Sequence, residues 1–154
     1  SINLIWSGIG FNLHDSVLVS GISESNVLHL RIRSGQITQE EMNSINSKFI
    51  NLNELIIDES VTIENEIIPS DFLKNHKEIT SVTINCNIKS IESSAFEGCS
   101  QLKHFECQSV TELNSRCFYG PTLIESLSFD LVNSIKGLIS FQITSFLRRF
   151  FYQV

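Results

Sequence analysis

The sequence predicts a repeat solenoid of about six units in the α/β horseshoe class, with short parallel strands on one side and short helical turns and loops on the other. Three observations carry this reading. An apolar triplet with spacing i, i+3, i+5 recurs six times, and its middle members fall at residues 30, 55, 82, 105, 127 and 150. A phenylalanine lies six residues ahead of the triplet at Phe96, Phe118 and Phe141, with Phe72 one residue further ahead of its own. An apolar pair three apart precedes that phenylalanine as Ile88/Ile91, Val110/Leu113 and Val132/Ile135. Self-similarity at a period of about 20–50 residues is the signature of units that bury their apolar faces only against neighbours.

Taken in order, residues 1–26, which begin with INLIWSGIGF, match no triplet and are expected to be an N-terminal cap or a degenerate coil. The repeats occupy 27–154 within a single domain. Their triplets are Val27-Leu30-Ile32, Leu52-Leu55-Ile57, Ile79-Val82-Ile84, Leu102-Phe105-Cys107, Ile124-Leu127-Phe129 and Leu147-Phe150-Tyr152. In each, i+3 and i+5 share one face of a short strand, so the residues between them face outward. Thr38-x-x-Glu41 has the form of a capping box, and Met42, Ile45 and Phe49 follow at helical spacing, so the second repeat is expected to carry a fuller helix. The Phe segments read as single helical or 3₁₀ turns: Ser93 or Ser94 caps the start, and Gly98, Gly120 or Asn75 ends it in a left-handed conformation. The last triplet closes at Tyr152, and no cap follows it. An uncapped last repeat is expected to mark a fragment or a truncated array, and to offer a surface for end-to-end self-association.

Composition narrows the function. The 154 residues are 42% hydrophobic and 18% charged, with a net charge of −6. Such a chain can bury a core, and it lacks the clustered basic excess of a nucleic-acid surface. The most apolar stretch, Gly137–Tyr152, is interrupted by Gln142, Arg148 and Arg149, so no membrane insertion is expected. No basic and apolar leader is seen, and no N-x-Ser/Thr sequon occurs.

Chemistry is not announced. Cys86, Cys99, Cys107 and Cys117 form no C-x-x-C pair, so no metal or other cofactor is expected. Cys99 and Cys107 occupy repeat positions otherwise held by apolar residues and read as small buried hydrophobes; Cys86 and Cys117 are less clearly placed. His29 and His104 fall in different repeats, too far apart to share a proton or a metal, while His14 and His76 read as surface residues. The acids Glu40, Glu41, Glu54, Asp58, Glu59, Glu64 and Glu66 read as a solvated face. With no phosphate-binding glycine loop, nucleophile elbow or H-E-x-x-H, the chain is expected not to be an enzyme.

The segment IKSIESSAFEGCSQLKHFEC, Ile88 to Cys107, resembles the unit of the BspA-like leucine-rich repeats, with their Ile-x-x-Ile…Ala-Phe-x-x-Cys-x-x-Leu pattern. The next repeat keeps Leu113, Phe118, Ile124 and Leu127 but has Cys117 for Ala and Pro121 for Cys. The resemblance implies a leucine-rich repeat solenoid. It also implies a surface protein that adheres to host or matrix proteins, at the cell surface or secreted. A cytoplasmic scaffold for signalling or cytoskeletal partners is the alternative.

Any protein ligand is expected on the outward strand positions Arg31, Arg33, Glu54, Ile56, Asp58, Thr83, His104, Glu106, Ser128, Arg149 and Phe151. Exposed Ile56 and Phe151, the latter beside Arg149, are the kind of apolar anchor that interfaces use. A polar, varied strand face also serves solubility alone, and both readings stay open at this point.

Overall fold

The computed structural model describes residues 2–8, 13, 20–121, 124–129, 132 and 134–135. Its main element is a six-stranded sheet in the order β1-β2-β3-β5-β7-β9, with every neighbouring pair parallel. The strands are β1 (Ile2–Trp6), β2 (Val27–Ile37), β3 (Glu54–Ile63), β5 (Ser81–Ile84), β7 (His104–Cys107) and β9 (Ser126–Ser128). A second parallel sheet consists of the two-residue strands β4 (Ile67–Ile68), β6 (Ser90–Ile91), β8 (Glu112–Leu113) and β10 (Ser134–Ile135). Successive repeats are therefore neighbours in both sheets, as expected when each repeat can cover its apolar side only with the next.

The register follows the triplets. Leu30, Leu55, Val82, Phe105 and Leu127 are paired strand to strand, as are Ile32, Ile57, Ile84 and Cys107. All are buried, together with the leading members Val27, Leu52, Ile79 and Leu102. Because side chains alternate along a strand, a one-residue slip would turn each of these rows into solvent.

The phenylalanines make the second layer. Phe72, Phe96 and Phe118 have no exposed surface, and Phe96 lies edge-on to Phe72 at 5.9 Å and stacked on Phe118 at 5.3 Å. Phe105 from the long sheet closes on both Phe96 and Phe118, at 4.9 and 4.8 Å. The third layer differs from expectation at its end. Ile88, Ile91, Val110, Leu113 and Val132 are buried, but Ile135 is 45% exposed because β10 is the outer strand of the short sheet among the described residues.

The second repeat has its helix, α1 (Gln39–Lys48). The Thr38 side chain accepts from the Glu41 N–H and Glu41 reaches back to the Thr38 N–H, which completes the capping box. Met42 and Ile45 from α1, and Phe49 after it, are buried. Leu13, also buried, donates its N–H to the second carboxylate oxygen of Glu41 at 3.1 Å, so one carboxylate joins the helix start to the N-terminal segment.

The phenylalanine turns are not helical. In a helix every N–H would return within its own turn, whereas here alternate donors cross to the next repeat. Asp71, Leu73 and Asn75 donate to Ser93, Ala95 and Glu97, and Ser94, Phe96 and Gly98 donate to Ser115, Cys117 and Tyr119. The residues between them bond three back, as in Ala95 to Glu92 and Glu97 to Ser94. This alternation places residues four apart in the left-handed region: Asp71 and Asn75, Ser94 and Gly98, Arg116 and Gly120. Ser94 is thus a left-handed residue (φ +61°) rather than a helix cap.

Two predictions follow from this packing. Phe96→Ala is expected to cost about 3–5 kcal/mol in urea melts, whereas Glu106→Ala on the outward face should stay within about 0.5 kcal/mol; equal, small effects would refute the assigned layers. Gly98 has φ +73°, and a Cβ there would run into the Asn75 side chain, while Gly21 (φ +75°) faces open space. Gly98→Ala should therefore cost about 2–3 kcal/mol against about 1 kcal/mol for Gly21→Ala, a difference that paired melts resolve.

Candidate protein-binding face

The outward residues of the long sheet form two in-register rows. Asn3, His29, Glu54, Ser81, His104 and Ser126 make the first; Ile5, Arg31, Ile56, Thr83, Glu106 and Ser128 make the second. Arg33 and Asp58 lie one alternation further along β2 and β3. Arg149 and Phe151 lie outside the described residues, as do His14 and the sixth triplet. Arg31, Arg33 and His104 are exposed, whereas Glu54, Ile56, Asp58, Thr83, Glu106 and Ser128 are half-buried. Neighbouring strands cover part of each such side chain, on both sides except at Ser128, where β7 alone flanks β9 among the described residues.

Cross-strand contacts organise it. The Nε of Arg31 donates to Asp58 Oδ2 at 2.9 Å, and this bond holds the guanidinium more firmly in its charged form. His29 Nδ1 lies 3.4 Å from Glu54 Oε1. Gln108 donates through one amide nitrogen to both Glu106 Oε1 (3.2 Å) and Ser128 Oγ (2.7 Å), bridging β7 and β9. His104 and Glu125 are 3.9 Å apart, too far for a hydrogen bond.

The face is not uniform. Asn3, Ile5, His29, Arg31, Glu54 and Ile56, with Leu4 and Leu30, line a shallow hollow of about 240 Å³ across β1–β3. Ile5 is 54% exposed and is the most exposed large apolar side chain among the described residues. Neither Asn3 nor Ile5 is among the residues expected from sequence. The triplet scan passes over β1 because a register shift between Ile2 and Asn3 pairs Ile2, Leu4 and Trp6 with Val27, Leu30 and Ile32. The spacing there is i, i+2, i+4. Plain strand alternation in INLIW is the signal that would have found them.

The remaining reactive side chains are structural. All four thiols are buried and unpaired, and burial pushes them up, Cys86 to about 11 and Cys99, Cys107 and Cys117 to about 12. Cys99 donates its S–H to the Leu73 carbonyl of the preceding repeat at 3.0 Å. His76 is not at the surface: it is 4% exposed. Its Nδ1 accepts from the Ile79 N–H at 3.2 Å, so the proton sits on Nε2, which donates to the Phe49 carbonyl at 2.8 Å. The ring thereby satisfies the backbone after α1 and the backbone leading into β5. Among the described residues no three His, Cys, Asp or Glu side chains are grouped to hold a metal ion, and no helix is long and apolar enough to cross a membrane.

A family model described as the BspA type leucine rich repeat region matches residues 38–143, in six copies. The matched span begins at the Thr38 cap, so β1 and β2 precede it. No curated protein matches the chain.

The thiols give a direct check on burial. At pH 8 the native chain should react with a thiol reagent far more slowly than a free cysteine, and all four thiols should titrate rapidly in urea. One fast-reacting thiol in the native chain would contradict the packing described.

Proposed function

The chain belongs to the BspA-type leucine-rich repeat family, and from that premise we propose that it is a non-catalytic protein-interaction module. In this reading the repeats form a solenoid whose long-sheet face contacts the ligand. The observation that carries it is the hollow over β1–β3. An exposed isoleucine, a half-buried isoleucine and an oriented arginine share one open, rigid surface there. Strand scaffolds present such groups with little ordering cost, and apolar residues beside arginine are common interface anchors. The finer reading is adhesion to a host or matrix protein at the cell surface. It rests on the family resemblance, since fold alone does not fix a partner.

A second reading, an intracellular scaffold, is favoured by one feature. Four cysteines stand unpaired in the core, the state that a reducing compartment maintains.

Both readings meet the same experiment. The folded chain, presented to immobilised extracellular-matrix proteins, is expected to bind at least one saturably. The double variant Ile5→Glu/Arg31→Glu, matched to the parent in urea melts, should bind about tenfold or more weakly. Undiminished binding by the variant would move the interaction off this face. Failure across the matrix panel, with specific capture of cytosolic proteins, would favour the scaffold.

A further inference from the structure

We infer that the hollow over β1 and β2 accepts an acidic, apolar segment of the partner protein in extended form; this deepens the reading of the face as a protein-binding surface and rests on it. Two neighbouring outward positions of β2 are Arg31 and Arg33, in a chain whose net charge is −6. β1, beside it, carries no charge at all. The β1–β2 half of the face is therefore a local basic stripe on an acidic molecule.

Arg31 is the centre of that stripe. Its Nε donates to Asp58, which anchors one edge of the planar guanidinium and leaves the Nη1/Nη2 edge without a partner among the described residues. Arg31 is one of the residues that line the hollow. Two parallel N–H donors match the two oxygens of a carboxylate, and an arginine already held by a neighbouring acid loses less freedom on binding one. Arg33 is exposed, with no ion pair among the described residues, and stands ready for a second carboxylate.

Of the acids near the hollow, Asp58 is bonded to Arg31, and Glu54 has His29 Nδ1 3.4 Å from its Oε1. They orient those bases. Ile5, 54% exposed, and Ile56 flank Arg31 in the same row, and each offers apolar surface beside it. In an extended segment every second side chain faces the sheet, so one whose face-directed residues are in turn acidic and aliphatic would set its carboxylates on Arg31 or Arg33 and its apolar group beside Ile5 or Ile56. A basic segment would meet the arginines at close range.

The test uses the folded full chain and three synthetic peptides of equal length, each with serine at every second position and with leucine taking turns with aspartate, serine or lysine at the positions between, read by fluorescence anisotropy. The aspartate peptide should bind at least about tenfold more tightly than the other two and weaken as salt rises from low to high ionic strength. Arg31→Gln and Arg31→Lys should each lose most of that preference, the second because an ammonium cannot offer the fork. Arg33→Gln should lose less. Matched urea midpoints exclude unfolding as the cause. Equal binding of the three peptides, or an unchanged preference in Arg31→Gln, would overturn the inference. If the chain binds a matrix protein that the aspartate peptide does not displace, the acidic occupant is refuted while the interaction-module reading stands. If it binds no protein at all, that broader reading fails as well.

Discussion

The constraint on which the rest depends is register. Each repeat is too small to enclose its own apolar side chains, so they are covered only if the same position in the adjoining repeats lies directly above and below. The parallel ladder enforces this, with Leu30, Leu55, Val82, Phe105 and Leu127 held opposite one another strand after strand. Variation inside such a row is tolerated so long as volume is roughly kept. Where a phenylalanine enters the long sheet at Phe105, its ring fills space between Phe96 and Phe118, and Cys107, two residues on, is correspondingly small.

The back of the repeats solves a different problem, namely what to do with backbone donors where no regular helix forms. Sending alternate N–H groups to the adjoining repeat extends the inter-repeat ladder around the turn. The cost is a left-handed residue at every fourth position. Gly98 and Gly120 meet it without strain, Asn75 and Asp71 at little cost, and Ser94 and Arg116 at more. At Arg116 the side chain offsets some of that cost. It lies 4.1 Å over the Tyr119 ring and bonds Glu97 at 2.8 Å, and that bond holds the Glu97 carboxyl down at about 2. From β4 onward the stack is thus bonded on three sides. In the first two full repeats the longer strands β2 and β3, paired through Ile37 and Ile63, take over that task beside α1.

Much of this was legible in the sequence because buried rows repeat and outward ones need not. The first five triplets, the phenylalanines at 72, 96 and 118 and the capping box at Thr38 each correspond to a structural role. What escaped were features that depend on three dimensions. His76 looked like a surface residue because its sequence neighbours are Asn75, Lys77 and Glu78, yet its ring spans two backbone segments that are brought together only by stacking. The non-helical turns escaped because a serine or arginine in a left-handed conformation leaves no compositional trace. On the outward face, Arg31, Glu54 and Ile56 were readable by alternation from the triplets. Asn3 and Ile5 were not, since a single-residue shift in β1 removes the pattern used to find them.

The same constraint is the physical ground for proposing the outward face as the recognition surface. Inward positions are committed to volume, and the turn backbone is committed to the inter-repeat ladder, so neither can change without loosening the stack. The outward strand positions carry no such obligation, and they sit on a continuously paired sheet, with side chains set at the fixed pitch of the ladder. A stretch as varied as His29, Arg31, Glu54, Ile56 and Asp58 is therefore free to be shaped by a partner alone. The cross-strand contacts of Arg31 with Asp58 and of His29 with Glu54 fix how these groups are displayed before any partner arrives. Rigidity with unconstrained chemistry is what a recognition surface needs, and in this chain the combination is most developed over β1–β3, where the exposed isoleucine and the basic stripe meet.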